Sequence, residues 1–483
     1  MTHPAGPAGR SETAAPAAAP PWGDLLRGGR AVFSVLVILG VALHALQVLV
    51  IAIIMPTVAA ELGGAAYYTW PSMLYTIGAI VGAASVGPLW GALGRRRGYA
   101  LSGAAFLAAT VASALAPDMG TLVAARAAQG LAGGLITGGG MALIGALFTE
   151  GLRKRVLAAY QGTWMVAQLC GPLVGGAFAE IGWWRGSFWT MVPLIAAFTA
   201  LAWLRVPEEA GRGADGRAGR RAFPLGRLGL LAAGTFAVAL AGPAGGGAAR
   251  VALIALAVAL IWATFRLDRH AANRLYPSGA FSVFSPVGLA LMVTFLGGMA
   301  VTSVNLFLPL LLQVVHGVTP LFVSFVTIVI SFGWTLGTFA VSGWSGRKES
   351  LALMGGVLLM IAGMAGIVAT ATLPALAVLT LAAFVLGLGV GTHYVLIVAR
   401  TMASAKPGEE RVTSAAIPSI RSLGTAFGAA IGGMVATAAG LGDATGAAAV
   451  GGAVTAVFAV NLVPLLLAAA CMARFLALAR ARA

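Results

Sequence analysis

Four side chains able to carry a charge, His44, Arg126, His393 and Arg421, sit inside otherwise apolar stretches of this 483-residue chain. An unpaired charge in lipid is costly, so such groups must face a protein interior or a watery path. Arginine stays protonated and can hold an anion or a dipole, but it cannot carry a proton across. A histidine titrates between about pH 5 and 8, which makes His44 the candidate proton site; the alternative is a neutral ring bonded to a neighbouring helix. Gln47 follows His44 by three residues and shares its helix face, adding an amide that binds but exchanges no proton. Arg126, Gln129 and Gly130 fall on one face in the same way. His393 and Arg421 are read either as transport groups or as packing and snorkelling side chains.

Aromatic and amide groups are available to shape a cavity beside them: Trp164 and Gln168, four apart on one face, with Asn305, Gln313 and Trp334. Each has packing or interface anchoring as its alternative role. The 14 acidic residues all fall in tails, loops or span ends, Glu61 and Glu180 coming nearest the interior. The sequence shows no phosphate-cradling loop, metal-ligand cluster or nucleophilic triad. Cys170 and Cys471 lie in apolar runs and read as packing residues. No enzyme activity and no cofactor are expected, so energy for any work must come from a gradient or from the substrate itself.

The elements that position these groups are apolar helices. The chain is 59% hydrophobic and 9% charged, with apolar runs recurring from end to end, the pattern of a polytopic all-α membrane protein. Its formal charge of +16 sits in small clusters between the runs, which is topology rather than a nucleic-acid surface. Fourteen spans place the clusters at Arg95 to Arg97, Arg153 to Arg155 and Arg347 to Lys348, with both termini, in the cytoplasm. Only Arg185 and Arg250 then lie outside. Twelve spans plus a non-spanning hairpin is the alternative.

The expected organisation is a disordered tail (1–30), a six-helix bundle (31–206), a cytoplasmic connector (207–222), an inserted helix pair (223–266), a cytoplasmic loop (267–283), a second six-helix bundle (284–473) and a tail (474–483). "GALGRR" after the second span and "GWSGRK" after the tenth echo each other, as in a duplicated transporter with its site between two halves. The span reading "GTWMVAQLCGPLVGG" carries Gly162, Gly171, Pro172, Gly175 and Gly176. It presents a flank poor in side chains, which neighbours approach closely, and a defined bend at Pro172.

These motifs resemble the major facilitator superfamily and, within it, the fourteen-helix drug:proton antiporter branch. "GPLWGALGRRRG" (87–98) is similar to the first cytoplasmic signature at Gly87, Leu89, Gly94, Arg95 and Arg96, although Gly91 stands where that signature has Asp. "LVAARAAQGLAGG" (122–134) resembles the span-four antiporter pattern, and Gly162-x8-Gly171-Pro172-x2-Gly175-Gly176 the export signature of span five. "GWWRGSFWTMVP" (182–193) and "IRSLGTAFGAAIGG" (420–433) are similar to spans six and thirteen of the branch. Gln47 replaces the branch's span-one Asp.

The resemblance implies a monomeric inner-membrane exporter of small amphipathic compounds, exchanging them for protons within the bilayer. Arg126 would line the route, the span-five glycines would gate it, and the 87–98 loop would latch one conformation. With Gln47 and Gly91 in place of acids, an uncoupled uniporter or importer of a small metabolite is the competing expectation.

Overall fold

In the computed structural model the described residues are 22–480, except 26, 28, 29, 149, 209–224, 242, 243, 245, 272, 273, 281 and 445. Most of the tail at 1–30 and of the connector at 207–222 therefore lies outside the described residues. The regular secondary structure among the described residues is helical, and helices cover the apolar runs. The N-terminal set is α1 (Arg30–Leu62), α2 (Trp70–Ala84), α3 (Val86–Leu93), α4 (Arg95–Ala114), α5 (Met119–Leu147), α6 (Glu150–Glu180), α7 (Gly186–Trp189) and α8 (Met191–Arg205). Then come α9 (Leu225–Leu240) and α10 (Gly247–Arg269). The C-terminal set is α11 (Pro286–Leu310), α12 (Pro320–Val341), α13 (Gly346–Thr370), α14 (Leu376–Ala403), α15 (Glu410–Ala438), α16 (Ala447–Val460) and α17 (Leu462–Arg480).

Among the described residues nine helices are each long and apolar enough to cross a bilayer. The remainder fall short for local reasons. The run at 70–93 breaks at Ser85, α4 opens on three arginines, and α9 has only 16 residues. The last helix runs on to Arg480, through most of the stretch read as a tail. Between α3 and α4, Gly94 turns the chain at φ 81°, a backbone region that disfavours a side chain.

The N-terminal helices pack on one another, the C-terminal helices do the same, and the two sets meet along two seams. One seam joins α6 to α12 and the other joins α2 to α15, with α9 lodged against the second. The hydrophobic core shows where the halves close. One apolar cluster takes in Val50 to Met55 and Met73 from the N-terminal half and Leu306 to Leu312 and Val323 from the C-terminal half. Toward the face bearing the chain ends the core divides. One cluster, from Leu25 to Val206, belongs to the first half alone, and another, from Leu289 to Phe475, to the second. The halves are thus joined at the far face and part toward the terminal face.

Candidate functional site

The first site is built around Arg126, which is wholly buried two turns into α5. Its Nη1 donates to Gln129 Oε1 at 2.5 Å and to Gln47 Oε1 at 3.1 Å, and its Nη2 donates to the Gln47 carbonyl at 3.0 Å. The amide of Gln129 donates in turn to Thr110 Oγ1 on α4 at 2.8 Å. The Arg126 Cζ lies 4.2 Å from the centre of the Tyr75 ring. The cation is therefore solvated by two amides, a carbonyl and a π face, with no carboxylate among these partners. Charge-assisted bonds of this kind are worth about 1.5–3 kcal/mol each.

Tyr75 reaches that position because α2 and α5 touch backbone to backbone. A Cβ on Gly130 would stand 2.0 Å from the Tyr75 carbonyl oxygen, so only glycine fits there. The Tyr75 hydroxyl meets His44 Nδ1 at 2.9 Å and the two rings stack with centroids 5.4 Å apart. The His44 ring also lies edge-on to Trp164, at 6.0 Å. Five residues picked out in the sequence, His44, Gln47, Arg126, Gln129 and Trp164, thus form one connected cluster. Tyr75 and Thr110 complete it, yet an isolated aromatic or hydroxyl in an apolar span carries no signal of its own.

The second site lies in the other half. The Arg421 Cζ stands 4.8 Å from the Trp334 ring centre and 4.6 Å from that of Tyr394, and those rings meet edge-on at 6.0 Å. All three residues are half-buried. A close approach positions this cluster too, since a Cβ on Gly391 of α14 would come within 1.9 Å of the Trp334 carbonyl oxygen on α12. His393 does not join the cluster. It is buried, with Nδ1 2.9 Å from the Gly389 carbonyl of its own helix.

Asn305 is exposed on α11, a helix otherwise mostly buried, while Gln168 is half-buried on α6. Gln313 serves the seam, its Nε2 donating across it to the Ile53 carbonyl at 3.2 Å.

The span-five glycines divide between two neighbours. Gly171 and Gly175 face α1, where an added Cβ would meet Leu49 at 2.9 Å and the Val50 carbonyl at 3.1 Å. Gly176 faces the other half, where an added Cβ would stand 2.1 Å from Ser324 Oγ. That space admits Ser324, whose hydroxyl lies 2.6 Å from the Pro172 carbonyl and donates across the seam. Gly162 has open space around it. The Glu180 carboxylate accepts from Leu321 N at 3.0 Å, and Tyr68 Oη donates to the Leu306 carbonyl at 3.2 Å, both between the halves at the far face.

In the 87–98 loop, Gly87 and Gly91 border open space. Arg96 and Arg97 approach Glu208, just beyond α8, at 3.6 and 3.7 Å, and Arg96 also covers the Trp203 ring. Arg95 is half-buried beside them. In the other half, Arg400 at the end of α14 makes a two-pronged pair with Glu349 in the first turn of α13, at 2.6 and 2.7 Å, which raises the guanidinium above its ordinary range. At the far face Glu61 is held below its ordinary 4.5 chiefly by its bond to Arg185, with Trp184 Nε1 donating to the same carboxylate at 2.7 Å.

Two helical halves that each hold an embedded cation against aromatic rings and join at one face have the build of a membrane carrier. The chain matches the model of the Major Facilitator Superfamily over residues 37–429, and it belongs to that family. It is 32% identical over 428 residues to sequences named "Probable multidrug-efflux transporter" in two strains of Mycobacterium tuberculosis, covering 84% of this chain and 88% of theirs. Solved structures share the fold. A POT family transporter superposes with TM-score 0.65 at 12% identity, over 95% of this chain and 99% of that one. A bacterial homolog of the human lysosomal transporter Spinster, inward-facing and unoccupied, gives 0.63 at 17% identity, over 93% and 97%. The protein is a multi-pass transporter of the inner membrane and not an enzyme.

Proposed function

We propose that this transporter exports small amphipathic organic compounds by alternating access, in exchange for protons, as a monomer with fourteen spans and both termini in the cytoplasm. The observation that carries the reading is the single core joining the halves at the far face while they part toward the terminal face. With the termini inside, this is a carrier loaded from the cytoplasm. The relatives' printed names support export. Gly176 and Ser324 form the outer gate in this reading, and Gly171, Gly175 and Pro172 shape the α6 surface that moves with it. The Arg95 to Arg97 loop acts as the inner latch of the first half, with Glu208 standing in for the missing acid at Gly91.

His44 is the proton carrier in this scheme. Its ring touches both the Arg126 network, through Tyr75, and the half-buried Trp164. Protonation would set a second cation beside Arg126 and loosen the cluster. Purified protein in liposomes with a trapped pH dye tests the coupling: substrate movement should alkalinise or acidify the lumen. Transport that proceeds unchanged after the proton gradient is collapsed removes antiport. It would favour the uncoupled carrier, which the amide at Gln47 also supports.

A further inference from the structure

We propose that the central site takes organic anions: amphipaths with a carboxylate or sulfonate on an aromatic body, held by the Arg421 guanidinium in front of Trp334 and Tyr394. This rests on the reading of the protein as a two-half carrier, but on neither the direction nor the coupling of its transport.

The first argument is the unmet bonding capacity of Arg421. A guanidinium has five N–H donors lying in its plane. Trp334 and Tyr394 engage its charge through their rings, and among the described residues no oxygen accepts a hydrogen bond from its side chain. Arg126 is the contrast, because Gln47 and Gln129 occupy its Nη groups and it is fully buried. Arg126 keeps one unpartnered donor, Nε, but it is buried, so of the two embedded arginines the half-buried Arg421 is the one whose donors are open to a ligand.

The second argument is position. Arg421 belongs to α15 and Trp334 to α12, helices that do not pack along one another. Each instead meets the N-terminal half, α12 through α6 and α15 through α2. The Arg421 side chain bridges them over Tyr394 of α14, a helix that packs on both. The N-terminal half holds a further pair of half-buried rings, His44 and Trp164.

The third argument is the sign of the charge. The described carboxylates fall at helix ends or in loops, and two of them are already taken: Glu349 by Arg400, and Asp268 by Arg227 and two backbone amides. A cationic ligand would face Arg421 with no acid to receive it. An anion would fill the open donors of Arg421 with a charge-assisted bond.

The probe pair is naphthalene-2-sulfonate and 2-naphthyltrimethylammonium, which share an aromatic body and differ in the sign of the head group. Binding of each to the purified full chain in detergent is measured by equilibrium dialysis, with protein-free micelles subtracted. The wild type should bind the sulfonate at least tenfold more tightly than the ammonium. Arg421→Gln should abolish that preference, and Arg421→Lys, which keeps the charge, should retain most of it. Equal or tighter ammonium binding by the wild type overturns the proposal, and so does an undiminished anion preference in Arg421→Gln. Should the variant not fold, the wild-type ratio decides alone. A chain that prefers the anion but shows no efflux upholds this inference and sinks export, whereas an exporter that prefers the cation does the reverse.

Discussion

The two embedded arginines sit in comparable places and are held in opposite ways. Each lies against an aromatic residue of a helix that a glycine brings into backbone contact: Tyr75 through Gly130 in the first half, Trp334 through Gly391 in the second. In the first half the arginine comes from the helix bearing the glycine, and amides from α1 and α5 hold its Nη groups while its Nε stays buried. In the second it comes from the next long helix and finds only π faces. A buried cation tied to neighbouring helices fixes them in place; a half-buried one held only by rings is open to a ligand. Duplicated architecture has thus been given two uses of the same charge.

Substitutions at either arginine can break that contrast. Arg126→Ala should have the largest effect. It strands the Gln47 and Gln129 amides in the interior, at about 1–3 kcal/mol for each unsatisfied group, and should cut transport by roughly 100-fold or more. Both thermal unfolding and uptake into vesicles report it. Arg421→Gln should reduce transport by about tenfold while moving stability by less than about 1 kcal/mol, the scale of an exposed cation–π contact. An Arg421 variant that unfolds as readily as the Arg126 variant would erase the distinction between a fixing and a binding charge.

Gly176→Leu should come next, since its side chain must displace Ser324 from the Pro172 carbonyl and push the halves apart at the far face. Export should fall several-fold, with cysteine labelling at the far face increased. Gly171→Leu presses on α1 inside one half, so its labelling pattern should stay closer to wild type. Equal labelling for the two would mean that the glycines act together and not through separate neighbours.

The smallest effect is expected at Glu61. Its folded carboxyl lies below the ordinary 4.5, so its pairing with Arg185 stabilises fully above that pH and is lost as pH falls through the lower folded value. Glu61→Gln should therefore flatten the acid limb of the stability curve and leave it unchanged at neutral pH. The pair is largely exposed, which keeps the effect near the modest scale of surface ion pairs.

What was legible in the sequence was whatever is costly in a bilayer. Arg126 and Arg421 declared themselves as charges among apolar residues, and Gly171-Pro172-x2-Gly175-Gly176 as breakers within a span. Their partners were not legible, because nothing marks Tyr75, Thr110 or Ser324 among the many rings and hydroxyls that membrane helices tolerate. Gln47 lies 79 positions from Arg126 and Ser324 lies 152 from Pro172, so packing alone brings them together. The division of the glycines between α1 and α12 was hidden for the same reason, as was the choice of Glu208 as partner to the Arg96 loop. Helix periodicity tells which residues share a face, not which neighbour that face meets.

The placement of α9 makes the carrier lopsided toward its surroundings. Phe236 of α9 lies edge-on to Trp70 of α2, and α9 also packs on α15, so one of the two clefts between the halves is covered along its flank. Its companion α10 is left almost wholly exposed, as a helix bathed in hydrocarbon would be. The Arg227–Asp268 pair ties the two together, and Asp268 also grips the backbone at Leu275 and Tyr276. Among the described residues the cleft between α6 and α12 has no such cladding. A greasy solute drifting within a leaflet therefore meets a wall from one side and bare helix edges from the other, which gives a molecule built from two similar halves a front and a back.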